Sequence, residues 1–287
     1  MDHELWSQLS HAMFDVARGF AKSARQTYDT HLIVRIYLWA VLHDRPVSWA
    51  VRPTSWSSHT RPKVLPNQST MSRRLQHEDV QQFLDKLGVG VSGPVKQTLV
   101  KVLDGKPLLV ARHTCDGQAT HGWDIGGKGC GYKLHAIWGC DPMPLVWSVR
   151  PLNVSERTEA RALIAQLPGE GYLLADSNYD DNVLFDHAAM HRHQLITQRR
   201  EPASQLGHRR HSPHRLRSIH LLEKATSPFG RQLYSQRRQI EREFGGLTCF
   251  GGGLQSLPSW VRTLRRVRLF VHAKLIINAA RIRRGAA

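Results

Sequence analysis

Cysteine is scarce and unpaired in this chain. Four cysteines occur in 287 residues, none in a Cys-x-x-Cys pair, which excludes a disulfide scaffold and a zinc ribbon. His113, Cys115, His121 and Cys130 can be drawn together as a zinc set. With 17 histidines scattered along the chain, that spacing reads as chance proximity. Long apolar runs are missing too. The most apolar stretch, Leu32 to Leu42, is broken by Arg35 and is too short to span a bilayer. The start, Met1-Asp2-His3-Glu4-Leu5-Trp6, lacks the basic-then-apolar pattern of a secretory signal. The expectation is a cytoplasmic protein with reduced thiols and no membrane partner. No internal repeat is visible. The last deficit is local: residues 199–287 hold 4 acidic side chains against 19 basic ones, whereas residues 1–198 hold 19 against 21. Most of the formal charge of +17 therefore sits in the last third. An excess so concentrated points to a polyanionic partner, because each Lys or Arg that neutralises a phosphate releases counterions. Nucleic acid is the polyanion expected.

What is present falls into two textures. Leu5, Leu9, Ala12, Met13, Val16 and Phe20 recur at spacings of three and four, one stripe of an amphipathic helix. Thr30 to His43 predicts a second, central helix ended by Asp44-Arg45-Pro46. After a loop from Arg52 to Lys63, Asn67 can cap a short helix on which Ser69, Ser72 and Arg73 share a face, with Gln68 and Thr70 near its start. Such side chains reach base edges and phosphates from a recognition helix, and the preceding helix and turn suit a helix-turn-helix arrangement. An ordinary polar surface helix is the plainer alternative. The first domain is thus expected to be all-α and to cover residues 1–94.

Residues 95–287 predict an α/β domain built on a mixed five-stranded sheet with flanking helices. Thr98–Asp104, Tyr132–Trp138 and Pro144–Val149 form a meander separated by Gly- and Asp-rich turns. A helix from Ser155 to Leu167 with N-cap chemistry follows, then a strand ending at Asp176, a helix from about Asp181 to His193, and a strand over Gln194–Thr197. The segment 199–229, with Arg209 and Arg210, reads as a basic excursion too polar and proline-interrupted for a core element. A last helix, capped by Ser256 with Pro258 in its first turn, carries Arg262, Arg265 and Arg266 as phosphate-binding candidates.

Three acidic residues stand out against this frame. Asp104 and Asp176 each end an apolar run, and Glu241 lies in a charged segment of helical spacing. Two strand-end carboxylates and one helical carboxylate can converge on a pair of hard, oxygen-ligated cations, which phosphodiester chemistry uses. A lone Asp at a strand end is more often a turn or cap residue; here three occur in order on suitable elements. Asp116 has no apolar strand leading to it, Asp180 and Asp181 fit better as helix caps, and Glu243 falls on the far side of the helix from Glu241. Tyr234, Arg237 and Glu241 are spaced to project from one helix face, as a phosphate-handling set would.

These residues resemble bacterial insertion-sequence transposases with a DDE catalytic domain of the ribonuclease H-like fold, in the group carrying a Tyr-x2-Arg-x3-Glu-x6-Lys signature. Tyr234, Arg237 and Glu241 match its first three positions. Position 248 is Thr rather than Lys, so that lysine's DNA contact is absent or supplied elsewhere, an arginine of the last helix being one source. Asp104-Gly105-Lys106-Pro107-Leu108 resembles the first-aspartate strand, Lys133-Leu134-His135 the second strand, and Ala175-Asp176-Ser177-Asn178-Tyr179-Asp180 the second-aspartate segment. The resemblance implies Asp104, Asp176 and Glu241 as catalytic metal ligands for two Mg2+ ions, with Mn2+ as a substitute. It implies double-stranded DNA, both element ends and target, as the partner of a homodimer assembled on DNA. It also implies cleavage at terminal inverted repeats followed by joining of the 3′-hydroxyl to target DNA. The alternatives are a ribonuclease H-like nuclease that cuts without joining, and a transposase-derived DNA-binding protein without catalysis.

Overall fold

The computed structural model describes residues 3–20, 26–93, 96, 98–111, 115–124, 127–207, 210–223, 228–249 and 253–286. The chain divides into two compact units, residues 1–95 with 247–287, and residues 96–246. The sequence expectation placed everything after residue 94 in one domain; the last segment instead belongs with the N-terminal helices.

The first unit opens with α1 (His3–Arg18), α2 (Thr30–Leu42), α3 (Val47–Ala50), α4 (Gln68–Arg74) and α5 (Glu78–Ser92). Its helix starts follow local chemistry. Asp29 caps α2 by accepting from Leu32 N–H at 2.7 Å, and Asn67 caps α4 by accepting from Thr70 N–H at 2.7 Å. Trp6, Trp39 and Trp56 pack ring on ring, with Trp39 and Trp56 stacked at 4.5 Å between centroids. Arg74, nearly buried, is held by Asp79 at 2.9 Å and by Thr30 and Gln26, tying α4 to the start of α2.

The second unit contains β1 (Val100–Leu109), β2 (Thr120–Asp124), β3 (Gly127–Trp138), β4 (Val146–Pro151), α6 (Glu156–Ile164), β5 (Gly171–Leu174), α7 (Asn182–Met190), β6 (His193–Ile196), α8 (Pro213–Leu222), α9 (Pro228–Ser235) and the start of α10 (Arg238–Cys249). The chain then returns to the first unit with α11 (Leu264–Ala286), which packs on α1, α2 and α5. The sheet has six strands in the order β2-β3-β1-β5-β6, with β4 also on β3. It is mixed: β1 runs antiparallel to β3 and parallel to β5, which is parallel to β6. This is the α/β class expected, with one strand more than the five predicted. The extra strand, β2, forms a hairpin with the first residues of β3, Thr120↔Gly131 to Asp124↔Gly127. Glycine at 131 is required there, since a Cβ would lie 2.2 Å from the Leu108 carbonyl oxygen.

Four local readings differ from expectation. β1 does not stop at Asp104; it pairs with β3 as far as Leu109↔Gly131. Val110 N–H donates to the Cys130 carbonyl at 3.0 Å, so even-numbered residues of β1 bond toward β3 and odd-numbered ones face the other edge. β5 reaches only Val102 on that edge, so Pro107 forfeits no ladder bond. Within the supposed loop 199–229, α8 forms because Pro213 occupies its first turn and Ser212 caps it. The last helix begins at Leu264 rather than near Ser256, after Thr263 in a left-handed turn at φ 70°. Ser155 precedes α6 but makes no capping hydrogen bond.

One face of the sheet carries the core of this unit. Leu103 and Ile137 pack with Ala160, Leu163 and Ile164 of α6 and with Leu184 and Phe185 of α7. By strand alternation Asp104 projects from the opposite face. No described helix is long and apolar enough to cross a membrane.

Candidate active site

Asp104 lies on β1 two residues past the last pair with β5, Val102↔Leu174, and Asp176 lies two residues past the end of β5. Two parallel strands thus deliver both carboxylates beyond their paired ends, where open α/β sheets place their ligands. The Gly105 N–H, on the edge β5 does not reach, turns back to Asp104 Oδ1 at 2.7 Å. Asp176 accepts from Asn178 N–H at 2.8 Å and caps the short turn Ser177–Tyr179.

The electrostatics are unfavourable for bare carboxylates. Burial pushes the Asp104 carboxyl up from 3.8 to about 6; its Gly105 hydrogen bond opposes this, the Asp176 charge adds to it, and Arg237 pulls it back. Asp176 is also raised, by burial first, with Asn178 opposing and Glu156 adding. Two carboxylates that resist ionising together in a half-dry site form a hard-oxygen donor set suited to divalent cations.

Arg237 ties the third carboxylate to this pair. Its guanidinium stands 4.0 Å from Asp104 Oδ2 and 3.8 Å from Glu241 Oε1. Its Nε is buried with no hydrogen-bond partner. Tyr234 donates to the Ala175 carbonyl, next to Asp176, at 3.1 Å. The predicted single helix is broken, however: α9 ends at Ser235 and α10 starts at Arg238, with i→i+3 bonds through the junction. Tyr234 and Glu241 therefore approach from two helices with Arg237 in the turn between them. The Glu241 side chain is 66% exposed. No group of three or more His, Cys, Asp or Glu is closed into a metal cage among the described residues. His121 stands opposite Cys130 in the β2–β3 hairpin, while His113 of the zinc set lies outside the described residues.

Three features escaped the sequence reading. Glu156, taken only as a helix-start acid, acts electrostatically on Asp104, Asp176 and the buried Tyr179, and pairs with Lys133 at 2.5 Å. His135, 1% exposed, has neither ring nitrogen hydrogen-bonded, and burial lowers its pKa to about 4. The third feature is an open cleft of ≈ 670 Å³ that Tyr234 and Arg237 share with Arg199, Arg231 and Arg238. The competing acids have other occupations. Asp116 accepts from the Tyr132 hydroxyl at 2.8 Å, Asp181 caps α7, and Asp180, expected to cap a helix, instead pairs twice with Arg215.

The nucleic-acid candidates of the first unit separate into two sets. Gln68 and Ser72 of α4 line one cavity of ≈ 200 Å³ together with Arg265, Arg266 and Trp260. Arg73 is exposed, Ser69 bonds Asn67 Oδ1 at 2.8 Å, and Arg262 bonds the Ser259 carbonyl at 2.7 Å. In the second unit Arg210 is exposed just before α8; Arg209 lies outside the described residues. Moving residues 247–287 to the first unit also moves their charge. That unit holds 19 basic and 8 acidic residues, against 21 and 15 in the second.

Residues 96–277 match the model of the transposase DDE domain family. Among solved structures, the piggyBac transposase in a synaptic complex with hairpin DNA is similar over 97% of this chain and 72% of that one, with 10% identity and a TM-score of 0.47. No curated protein matches the chain in sequence.

Proposed function

The chain belongs to the transposase DDE domain family, and from that premise we propose that it cuts the ends of its own DNA element and joins them to target DNA. The observation that carries this reading is the convergence of Asp104 and Asp176 beyond the paired ends of β1 and β5, with Arg237 within 4.0 Å of Asp104 and 3.8 Å of Glu241.

Asp104, Asp176 and Glu241 would hold the divalent cations, Mg2+ or Mn2+. Bound there, such ions would lower the pKa of an attacking oxygen and offset negative charge on the phosphate oxygens and the leaving oxygen. The residues themselves set the stage. Arg237, with a buried unpartnered Nε, is placed to orient a phosphodiester by paired N–H donors. Tyr234, anchored on Ala175, fixes the turn that carries Arg237 beside the aspartates. In the first reaction water attacks the phosphorus at the element end and the 3′ oxygen leaves as a hydroxyl. In the second that hydroxyl attacks a target phosphodiester, exchanging one P–O bond for another without a protein adduct. The α4 surface with Arg265 and Arg266 is proposed to bind the element end, Gln68, Ser72 and Arg73 reading bases while arginines take phosphates. A homodimer on DNA would hold both ends.

The test is incubation of end-labelled duplexes bearing the repeats that flank the gene with a supercoiled plasmid and Mg2+. Label transferred to plasmid supports the reading. Cleavage without transfer identifies a nuclease, and end binding without cleavage identifies a DNA-binding derivative.

A further inference from the structure

We infer that Lys133, held by Glu156, is a second phosphate-binding cation of this active site and contacts the scissile phosphodiester from the sheet face opposite Arg237. The inference rests on the transposase reading and names a residue that reading does not use.

Register fixes the placement. Lys133 pairs with Pro107 and His135 with Gly105, so their side chains share the face of Leu103 that packs on α6. The lysine stem lies against Gly105, the residue after Asp104: a Cβ there would be 3.0 Å from Lys133 Cδ. The ammonium ends 2.5 Å from Glu156 Oε1, on the first residue of α6. Its charge acts on Asp176, as do those of Glu156 and Arg237. Asp104 and Asp176 thus lie beyond the paired ends of β1 and β5, with Arg237 beside Asp104 and Glu241 on one side and Lys133 and Glu156 on the other.

Stability does not account for the pair. Its side chains are only 12% and 24% exposed, and apolar replacements of such pairs are often neutral or stabilising. Charge does account for it. Four carboxylates meet two cations here, and Arg237 already serves Asp104 and Glu241. Glu156 accepts one of the three ammonium hydrogens, leaving two for phosphate oxygens. His135 beside it is buried, and its lowered pKa leaves it uncharged at neutral pH, so it offers no competing cation.

The experiment measures binding of the full-length protein, in EDTA, to the flanking-repeat duplex and to the same duplex with a neutral methylphosphonate at the cleavage position. Wild type is expected to bind the natural duplex about tenfold more tightly than the neutralised one, the worth of a charge-assisted contact. Lys133→Met keeps the stem against Gly105; it should lower that preference several-fold, Arg237 supplying the remainder, while binding the neutralised duplex as wild type does. Lys133→Arg should retain it, and Glu156→Gln, which removes the competing carboxylate, should strengthen it. Equal weakening on both duplexes by Lys133→Met, or an unchanged preference, overturns the inference. Should Lys133→Met melt well below wild type, Glu156→Gln decides, and a preference that it leaves unchanged or reduces overturns the inference. Failure of wild type to bind either duplex overturns the transposase reading itself, and this inference with it.

Discussion

Replacing Asp104 with asparagine should stabilise the metal-free protein at neutral pH even as it removes the chemistry. The folded carboxyl is raised from 3.8 to about 6, so between those values the folded protein binds more protons than the unfolded chain. Stability therefore rises as pH falls through that window and is lost as pH climbs past the folded value. The displacement corresponds to about 3 kcal/mol at full effect. The side chain is 24% exposed, and solvent screening brings the expected gain to about 2 kcal/mol. Asparagine keeps an oxygen for the Gly105 N–H, so the local turn survives. In EDTA near pH 8, Asp104→Asn should then melt roughly 4–8 °C above wild type. The difference should shrink as pH falls toward about 4, where the folded wild-type carboxyl is protonated, and vanish below the unfolded value of 3.8. Added Mn2+ should raise the wild-type midpoint by ligand linkage and leave the variant nearly unmoved. A variant less stable than wild type at pH 8, or a gain independent of pH, would refute the electrostatic account of the site.

Three further outcomes follow from other parts of the molecule. Arg265→Ala with Arg266→Ala should reduce the slope of log affinity against log salt by about 2, as loss of two phosphate contacts requires; an unchanged slope places those contacts elsewhere. Arg73→Ala should cut discrimination between cognate and scrambled ends by about 1–3 kcal/mol if it reads a guanine, and leave nicking of non-specific DNA intact. Asp180→Ala should destabilise the fold by about 3 kcal/mol in urea unfolding, because Arg215, 15% exposed, is left as a nearly buried charge without its double partner; a loss below about 1 kcal/mol would show the pair to be screened.

Much of this was legible because local chemistry acts over a few residues. Asn67 announces a helix start through its side-chain oxygen, and apolar runs before Asp104 and Asp176 announce strands. What was hidden depends on partners distant in sequence. Gly105-Lys106-Pro107 looks like a turn, yet remains strand because β3 pairs on one edge while the other edge is vacant at Pro107. Ser256 and Pro258 carry the marks of a helix start, but the chain turns left-handed at Thr263 first. Tyr234, Arg237 and Glu241 keep helical spacing across a break between two helices, so the spacing alone could not reveal the hinge in their geometry. Glu156 carries an ordinary helix-start signal. Only the packing of α6 on the sheet brings it beside Lys133 and the aspartates. The charge asymmetry was visible, but its allocation to the helical unit required knowing where α11 packs.

Asp104, Asp176 and Glu241 are proposed to serve one metal site. Mn2+ titration followed by electron paramagnetic resonance, on full-length protein bound to the flanking-repeat duplex, tests it directly. Tight Mn2+ binding is expected of wild type and of Asp116→Asn, since the Asp116 carboxylate serves Tyr132. Loss or at least tenfold weakening is expected in Asp104→Asn, Asp176→Asn and Glu241→Gln alike, since each removes a charged ligand. Undiminished Mn2+ binding in any of those three, or its loss in Asp116→Asn, would contradict the assignment.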